Sequence, residues 1–534
     1  MKVVTSGQMR DLEQRAAARG LPSEVLMDRA GLAVAREMKR LLGGVAGRRM
    51  LILAGPGNNG GDGLVAARHL HDWGADVQIC MVRPRQESDV NFRLAQERGI
   101  PMVVACQGHG HGQPAVDSLL ASAEVVLDAL YGTGKSRPLS GASEEVLLRA
   151  RAKKARDGSL RVFAVDLPSG LDADTGAVDE SCLPADVTIT LAYPKPGLYS
   201  FPGAARAGRI VVADIGIPPE LAEGILTEVI AAEEVGVCLP ERPQDANKGT
   251  FGRVLVVGGS ASYIGAAYLA CTAAARVGAG LVTLAIARSL QPVLAAKLTE
   301  VTYALLPESE PGVLAAGSAE AIRSSLADCD ALLVGCGLGQ SRPAAELVSS
   351  LLGSVDLLPL ILDADALNIL AGTPQWWRSL PADAVLTPHP GEMSRLTGLS
   401  VEEIQSKRLS VAVEAARTWQ KTVVLKGAYT VVAAPDGRVR INPVANPGLA
   451  SAGTGDVLAG AIAGLAAQGC SLFDAAVAGV FIHGQAGEMV KGELGDAGML
   501  ASDLLPVLPA VIRGVKKGRV PGRGKQEDDR CYWP

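Results

Sequence analysis

The sequence is poor in aromatic residues, contains no paired cysteine motif and carries no excess of positive charge. Aromatics make up 4% of the 534 residues although 48% are apolar, so the cores must be built mainly from alanine, valine and leucine. The nine cysteines form no C-x-x-C pair, which favours a reducing compartment. A net charge of -5 produces no basic field, so we expect no nucleic-acid partner.

Long apolar runs are also missing. The longest uncharged stretch, residues 254–275, is broken by the turn GGSAS, so it does not predict a membrane span. The first twenty residues, MKVVTSGQMRDLEQRAAARG, lack the apolar centre of a signal peptide. We therefore expect a cytoplasmic protein that does not associate with a membrane.

Strand-like runs alternate with helical patterns along the chain, and this rhythm predicts an α/β fold with mostly parallel sheets. One series runs from RMLILAG to GRIVVADIG, and a second begins at RVLVVGGS after the polar segment LPERPQDANKGTFG. We predict a Rossmann-like doubly wound domain at 1–221 and a second α/β domain at 222–515, with the boundary within 222–240. The charged, glycine-rich end, 516–534, is predicted to be a disordered tail.

A glycine-rich loop, AGPGNNGGDG at 54–63, follows the first strand-like run. Its Gly55, Gly57 and Gly60 satisfy the dinucleotide fingerprint G-x-G-x-x-G. A dehydrogenase usually has an acid at the end of the next strand, but DVQICMV leads into Arg83 and Arg85. Because an arginine there suits a 2′-phosphate, the sequence leaves the dinucleotide interpretation open.

More polar side chains follow the strands of this half than a dinucleotide fingerprint needs. Carboxyl ends of parallel strands share one edge of a sheet, so we expect these side chains to converge there. Their carboxylates, amides and hydroxyl suit a hard cation, with one acid spare for proton transfer. Taken singly, each aspartate is more typical of a helix or turn cap, but the three loops together favour the cation site. The residues are Asn58, Asn59 and Asp62 in the loop, Asp128 in DALYGTG, and Asp166 and Ser169 in VDLPSG.

In this order, GPGNNGGDG, DALYGTG and VDLPSG resemble the NAD(P)H-hydrate epimerase domain, which inverts the hydroxyl-bearing carbon of hydrated nicotinamide cofactors. The resemblance implies a potassium ion held by Asn59, Asp128 and Ser169, and Asp166 as the acid/base. MDRAG at 27–31 is similar to the family's helix motif Met-Glu-Asn-Ala-Gly, from which Asp28 and Arg29 depart. The implied substrate contacts are Asn58, Asn59, Gly60, Gly61, Asp62, Gly132, Thr133, Gly134, Lys135, Ser136, Arg137 and Pro138.

The strongest motif of the second half is NPGLASAGTGDVLAGAIAG at 446–464. The amides of Gly453, Thr454 and Gly455 precede a long helix and form an anion hole with its N-terminus. Asp456 lies in the first helical turn, where a carboxylate competes with a phosphate unless it takes a proton from the attacking hydroxyl. This G-T-G-D arrangement is typical of ribokinase-like phosphotransferases. The alternative, a simple helix-terminal acid, leaves the glycines unexplained.

The motifs NKGTFGRVLVVGGS, GCGLG, DADALN, TPHPGEMSRL and VVLKGAYT accompany GTGD. Together they resemble the ADP- or ATP-dependent NAD(P)H-hydrate dehydratase domain, across nearly all of 225–515. In that family the (S)-hydrate hydroxyl is phosphorylated and then lost as phosphate. The resemblance implies that Asp456 is the base and a substrate contact. Ala266, Gly339 and His389 are implied to line the hydrate site. The implied nucleotide contacts are Lys426, Gly427, Ala428, Tyr429, Thr430 and Gly455.

Both resemblances in one chain match the bifunctional NAD(P)H-hydrate repair enzymes. They imply NADHX and NADPHX as substrates, and ADP, or alternatively ATP, as the co-substrate with a magnesium ion; bacterial-type members use ADP and release AMP and phosphate. We also expect a homo-oligomer. One rival interpretation is a ribokinase-type vitamin or sugar kinase fused to a non-catalytic nucleotide-binding domain. Another is a binding module, although a scaffold needs neither Asp128 nor Asp166.

Overall fold

In the computed structural model, the described residues are 1–105, 112–134, 138–353, 358–381, 384–518 and 531–532. The chain divides into two compact units, one ending at Thr227 and the next beginning at Glu228. This division falls within the predicted interval 222–240, while separate folding of the two parts stays a prediction. Most of the predicted tail, and Lys135, Ser136 and Arg137, lie outside the described residues.

The first unit is built on a parallel sheet, with neighbouring strands in the order β7-β6-β5-β4-β1-β2-β3. Consecutive strands lie beside each other on either side of β1, which is the doubly wound pattern expected from the sequence. The strands are β1 Arg49–Ala54, β2 Asp76–Met81, β3 Met102–Val104, β4 Val125–Ala129, β5 Arg161–Val165, β6 Val187–Leu191 and β7 Arg209–Ala213.

Helices cover both faces of this sheet, because alternate side chains of its strands are apolar on both sides. Met50 and Ile52 of β1 belong to one buried cluster, and Leu51 and Leu53 belong to another. The helices are α1 Ser6–Ala18, α2 Ser23–Leu41, α3 Asn58–Asp72, α4 Val90–Glu97, α5 Gly112–Ser122, α6 Ala142–Arg156 and α7 Ala204–Ala207.

The second unit contains a larger sheet, in the order β11-β10-β9-β14-β15-β16-β17-β18-β19-β8. The strands from β11 to β17 are parallel, whereas β18 and β19 continue antiparallel. The strands are β8 Thr227–Val229, β9 Arg253–Val257, β10 Leu281–Ala287, β11 Thr302–Leu306, the hairpin β12 Glu308–Glu310 and β13 Val313–Leu314, β14 Ala331–Val334, β15 Leu360–Leu362, β16 Ala384–Leu386, β17 Thr422–Leu425, β18 Val431–Ala433 and β19 Val439–Ile441.

Small residues allow the helices of this unit to pack closely without aromatic side chains. A Cβ at Gly460 would lie 2.1 Å from the carbonyl oxygen of Ala270, so only glycine allows the two helices to approach this closely. The helices are α8 Ala232–Cys238, α9 Ile264–Arg276, α10 Gln291–Ala295, α11 Ser318–Leu326, α12 Arg342–Leu352, α13 Asp365–Leu370, α14 Pro390–Thr397, α15 Val401–Ser406, α16 Arg408–Trp419, α17 Thr454–Ala467, α18 Leu472–Leu494, α19 Ala501–Leu504 and α20 Leu508–Lys516.

The last described residues return to the first unit. Strand β20, Cys531–Tyr532, pairs antiparallel with β7 at the edge of the first sheet. Of the helices that the structure describes, none has both the length and the apolar character needed to cross a membrane. The α/β class predicted from the sequence is therefore confirmed in both units.

Candidate active sites

The glycine-rich loop connects β1 to the start of α3 at Asn58. A Cβ at Gly55 would lie 1.8 Å from the carbonyl oxygen of Leu130, and one at Gly60 would lie 2.0 Å from that of Gly55. Gly55 is therefore required because the turn packs against the residue that follows β4, and Gly60 because the loop folds back on its own backbone. Arg85 donates to the carbonyl oxygens of Gly55 (2.6 Å) and Gly57 (2.8 Å) and pairs with Asp89. Arg85 thus supports the loop, and these contacts occupy the guanidinium that the sequence analysis considered for a 2′-phosphate.

Asp166 follows β5 with a φ of 66°, a left-handed conformation that is rare for a residue other than glycine. Its Oδ1 accepts hydrogen bonds from Thr190 Oγ1 and from the Leu191 amide, each at 3.1 Å. The ammonium group of Lys195, which is fully buried, also pairs with Oδ1. Three donors thus stabilise a negative charge on Asp166. Lys195 was not predicted from the sequence; its position between Pro194 and Pro196, after a strand, was the available signal.

Asp128 and Ser169 meet in the interior behind this loop. The Ser169 hydroxyl donates to Asp128 Oδ1 at 2.6 Å, and the Ser169 amide donates to Oδ2 at 2.8 Å. Burial raises the pKa of Asp128, and the hydrogen bonds from Ser169 and Leu130 offset only part of that effect. Asn59 is also buried, and its Nδ2 has no hydrogen-bond partner among the described residues. The structure therefore pairs two of the three predicted cation ligands directly.

A cavity of about 610 Å³ opens between the first turns of α3 and the end of β5. Glu13 and Arg10 of α1 line it although no motif predicted them, and both lie on a face of α1 that the sequence analysis did not consider. Gly60, Gly61 and Pro138 do not belong to the described lining, although the family resemblance implied contacts from them. The predicted residues that do line it are Asn58, Asn59, Asp62, Gly132, Thr133, Gly134 and Asp166.

The departures in MDRAG lie outside this cavity. Asp28 pairs with the buried Arg68 at 3.2 Å, and the Arg68 guanidinium also donates to Asn91 at 3.0 Å. Gly31 allows α2 to pack against α3, since a Cβ there would lie 2.3 Å from Val65 Cβ. Of this motif, Met27 and Ala30 line the cavity.

In the second unit, the GTGD turn begins α17. Gly453 caps the helix at a φ of 91°, and a Cβ there would lie 2.5 Å from a Leu269 methyl group. Asp456 follows in the first turn. Burial, and then the neighbouring carboxylate of Asp363, raise its pKa to about 6. A carboxyl with this pKa is ionised at neutral pH and still basic enough to take a proton, as a general base requires.

Asp363, at the end of β15, is a further acid in this site that the motif DADALN contained but that was not assigned a role. It is 1% exposed, and its Oδ1 accepts from Lys426 Nζ at 2.6 Å and from the Thr387 hydroxyl at 2.7 Å. Single ligand atoms of Cys336, Asp363 and Asp456 lie within 4.8 Å of one another. Two carboxylates at this spacing, that of Asp363 buried and that of Asp456 half-buried, suit a divalent cation.

Lys426 is largely buried and lies 3.7 Å from Glu392 as well as next to Asp363. Burial lowers its pKa, but the two carboxylates outweigh burial and raise it, so the lysine stays charged. A Cβ at Gly455 would lie 3.3 Å from Lys426 Nζ. The strand-end lysine and the GTGD turn, predicted separately, therefore lie side by side.

Two predicted contacts of the hydrate, His389 and Ala266, lie on other elements of this unit. His389 caps α14, where its Nδ1 accepts from the amides of Gly391 (3.0 Å) and Glu392 (3.4 Å). Burial, followed by Lys426, lowers the pKa of His389 and favours the neutral ring. Ala266 lies beside the GCGLG turn, at 2.7 Å from where a Cβ of Gly337 would be.

In the predicted nucleotide segment, 426–430, several side chains are buried or already hydrogen-bonded within the protein. Tyr429 is 2% exposed at a φ of 53°, so it offers a ligand its backbone rather than its ring. The Thr430 hydroxyl donates to the Gly427 carbonyl at 2.8 Å. Gly427, at a φ of 139°, leaves room for Arg408, whose guanidinium donates to the carbonyl oxygens of Leu425 and Lys426. The sequence motif predicted that this loop contacts the nucleotide. It did not show which residues offer the backbone and which offer a side chain.

Two α/β units, each with a carboxylate at a strand end beside a glycine-rich turn, are typical of an α/β enzyme with two candidate sites. Residues 23–197 match the family described as YjeF-related protein N-terminus, and residues 254–510 match NAD(P)H-hydrate dehydratase. The bifunctional NAD(P)H-hydrate repair enzyme Nnr of Moorella thermoacetica is 43% identical over 97% of this chain and 98% of its own length. That of Thermofilum pendens is 40% identical over 97% of each chain. The chain therefore belongs to the bifunctional NAD(P)H-hydrate repair enzymes.

Among solved structures, the ADP/ATP-dependent NAD(P)H-hydrate dehydratase of Bacillus subtilis, co-crystallised with ATP and Mg²⁺, is 33% identical. It covers 54% of this chain and 98% of its own, with a TM-score of 0.45. A ribokinase-like superfamily protein of Enterococcus faecalis is 26% identical over 54% of this chain and 96% of its own, with a TM-score of 0.48. The full-length relatives favour the repair enzyme over the vitamin or sugar kinase considered from the sequence.

Proposed function

We propose that the first unit interconverts the (R)- and (S)-hydrates of NADH and NADPH, and that the second dehydrates the (S)-hydrate with ADP. The observation that carries this proposal is that each unit has its own aspartate in a strand-end site, Asp166 in one and Asp456 in the other. Asp166 and Asp456 therefore belong to different units of the chain. The match to the bifunctional relatives along nearly the whole chain supports this division.

Epimerisation needs proton transfer at one carbon. That carbon bears a hydroxyl and is bonded to the ring nitrogen, so the nitrogen lone pair expels the hydroxyl once the oxygen is protonated. Water then returns to the other face. Asp166, held as a carboxylate by Lys195, Thr190 and the Leu191 amide, accepts the proton of the returning water. Its charge also stabilises the cationic ring formed between the two steps.

We propose that Asn59, Asp128 and Ser169 hold a potassium ion. All three offer oxygen, the donor that hard cations prefer. Asp128 is fully buried and accepts only from the neutral donors of Ser169 and Leu130, so a cation would compensate a carboxylate charge that the described residues leave unbalanced. When bound, the ion would supply positive charge beside these three residues. Asn58, Asp62 and the 132–134 turn contact the substrate itself.

Dehydration begins with transfer of a phosphoryl group. The hydrate oxygen attacks the β-phosphorus of ADP while Asp456 takes the hydroxyl proton, and the bond to AMP breaks. The phosphate then leaves with its bonding pair, driven by the ring nitrogen, and loss of a proton from the adjacent carbon restores the dihydropyridine. The amides of Gly453–Gly455 stabilise the phosphate charge.

The remaining contacts follow the family resemblance and the observed geometry. Ala266, Gly339 and His389 line the hydrate site, while Lys426–Thr430 and Gly455 hold the nucleotide, with Tyr429 contributing its backbone. A magnesium ion, when bound with the nucleotide, neutralises its phosphates, and Asp363 and Asp456 are the carboxylates placed to hold it. ADP is the proposed co-substrate, with ATP as the alternative. The homo-oligomer and the cytoplasmic location stay predictions.

The test combines both reactions in one experiment. The full chain is incubated with an equal mixture of the two NADHX epimers and ADP, and the dihydronicotinamide absorbance is followed. Full recovery is expected, because epimerisation feeds the (R)-hydrate into the second site. Recovery of only the (S) half would refute the epimerase assignment. Accumulation of a phosphorylated product without inorganic phosphate would instead support the kinase interpretation. The matched control omits ADP.

A further inference from the structure

Asp62, early in α3, carries a carboxyl group that the proposed reaction has not yet used. Its side chain lines the same cavity as Asp166, and the residue is only 7% exposed. Within the part of the chain that the structure describes, the Asp62 carboxyl forms no hydrogen bond or ion pair. A buried carboxyl costs folding free energy when nothing binds it, so a group aimed into a cavity without a protein partner points to a ligand as its partner.

Asp62 and Asp166 differ in the hydrogen-bond donors and charges that surround their carboxyl groups. Asp166 Oδ1 accepts from three donors, one of them the Lys195 ammonium. Asp62 accepts from none. Burial raises the pKa of Asp62 well above its ordinary value, and the charges of Asp166 and then Glu13 raise it further, while Arg85 and Lys195 offset this only in part. Asp62 therefore lacks the donors that stabilise a charge on Asp166, and its burial favours the protonated form.

We propose that Asp62 is the general acid of epimerisation: it protonates the departing hydroxyl, and Asp166 takes the proton from the returning water. This inference rests on the proposed epimerase function of the first unit. Two carboxyl groups line one cavity, one held by a lysine and two further donors and the other without a donor, and such unlike surroundings suit one acid and one base. The two groups come from different walls, α3 and the end of β5, so the two proton transfers do not depend on one side chain.

The proposed step balances without a further reactant. The O–H bond of Asp62 breaks, and its proton joins the hydroxyl oxygen of the hydrate. The C–O bond then breaks with its electron pair on oxygen, water leaves, and the nitrogen lone pair forms a C=N bond. When water adds to the other face, that pair returns to nitrogen and the surplus proton goes to Asp166. Proton exchange with water restores Asp62 and Asp166 to their starting states.

The test uses the full chain with Asp62→Asn, which keeps the size of the side chain but cannot donate an acidic proton. Interconversion of purified (R)- and (S)-NADHX is followed by chromatography without nucleotide. We expect kcat to fall by about 10²–10⁴-fold, the usual effect of losing a general acid, with KM changed only a few-fold. Asp62→Glu should recover part of the rate. Asp76→Asn is the control, because Asp76 is an exposed aspartate at the start of β2, away from the cavity.

The pH profile supplies a second readout. The charged groups that influence Asp62 are Asp166 at the end of β5, Glu13 on α1, Arg85 after β2 and Lys195 after β6. Because the acid must be protonated, the wild-type kcat should fall as pH rises through the raised pKa of Asp62, and Asp62→Asn should lack this limb. A wild-type kcat that stays level through the alkaline range would overturn the proposal even if Asp62→Asn did not fold.

Two other outcomes have distinct meanings. If Asp62→Asn keeps the wild-type kcat, or raises KM alone, Asp62 is only a substrate contact and the inference is wrong while the epimerase function stands. If the wild-type chain itself does not exceed the spontaneous rate of interconversion, the proposed function of the first unit fails. Dehydration of pure (S)-NADHX with ADP should be unchanged in Asp62→Asn, since that reaction takes place in the other unit.

Discussion

Replacing Asp456 with asparagine should stop dehydration and, at the same time, stabilise the second unit. The loss of a general base lowers the rate by about 10²–10⁴-fold. The stability effect has the opposite sign because the folded protein raises the pKa of this carboxyl from 3.8 to about 6. Each pKa unit corresponds to about 1.4 kcal/mol, so ionised Asp456 costs at most about 3 kcal/mol of folding free energy at neutral pH.

The sign of this contribution sets its pH dependence. An acid whose pKa is higher in the folded state favours folding only while it is protonated, so its destabilising effect appears as pH rises from about 4 to about 6 and is constant above that. Asparagine carries no such cost. The unfolding midpoint of Asp456→Asn should therefore exceed that of the wild type at pH 7, and the difference should disappear near pH 4.

The assay follows phosphate release from (S)-NADHX and ADP, together with thermal unfolding at several pH values. Asp474→Asn is the matched control, because Asp474 occupies the first turn of the next helix, α18, and accepts a hydrogen bond from Ser471. The control should keep wild-type activity and gain no stability. Near-normal phosphate release by Asp456→Asn would mean that Asp456 is a helix-terminal acid and not the general base. An unfolding difference that does not vary with pH would refute the stability argument.

Three further predictions concern the first unit and the chain as a whole. Asp166→Ala should abolish interconversion of the epimers but leave dehydration of pure (S)-hydrate intact; chromatographic exchange without ADP at the wild-type rate would remove Asp166 from the mechanism. Lys195→Met should lower the free energy of unfolding of the first unit in urea by about 3–5 kcal/mol, because it leaves the buried Asp166 without its counter-charge; an unchanged midpoint would mean that the pair contributes nothing. Fragments divided between Thr227 and Glu228 should each fold and perform one reaction; circular dichroism and the separate assays would show if neither does.

Much of the fold follows from patterns that are local in the sequence. Apolar runs such as RMLILAG and RVLVVGGS become the parallel strands β1 and β9, since a strand buried on both faces is apolar throughout. The antiparallel strands β18 and β19 were not predicted. Each has only three residues, which is too short for a periodic pattern to indicate. Their existence depends on pairing with β17, a tertiary contact rather than a local preference.

The sequence predicted where the candidate sites lie, but not which aspartate of each site pairs with a lysine. Each contains a lysine beside an aspartate, yet the two pairings have different consequences. In the first unit Lys195 pairs with Asp166 itself. In the second unit Lys426 pairs with Asp363 at 2.6 Å. Asp456 lies beside that second carboxylate, and burial, followed by the charge of Asp363, raises the pKa of Asp456 to about 6. Which carboxylate takes the lysine is decided by side-chain rotamers and by backbone conformations such as the positive φ of Asp166, and no spacing in the sequence encodes these. The sequence can therefore identify an aspartate near a strand end. Whether that aspartate pairs with a lysine or lies beside a second carboxylate is decided only in the folded protein.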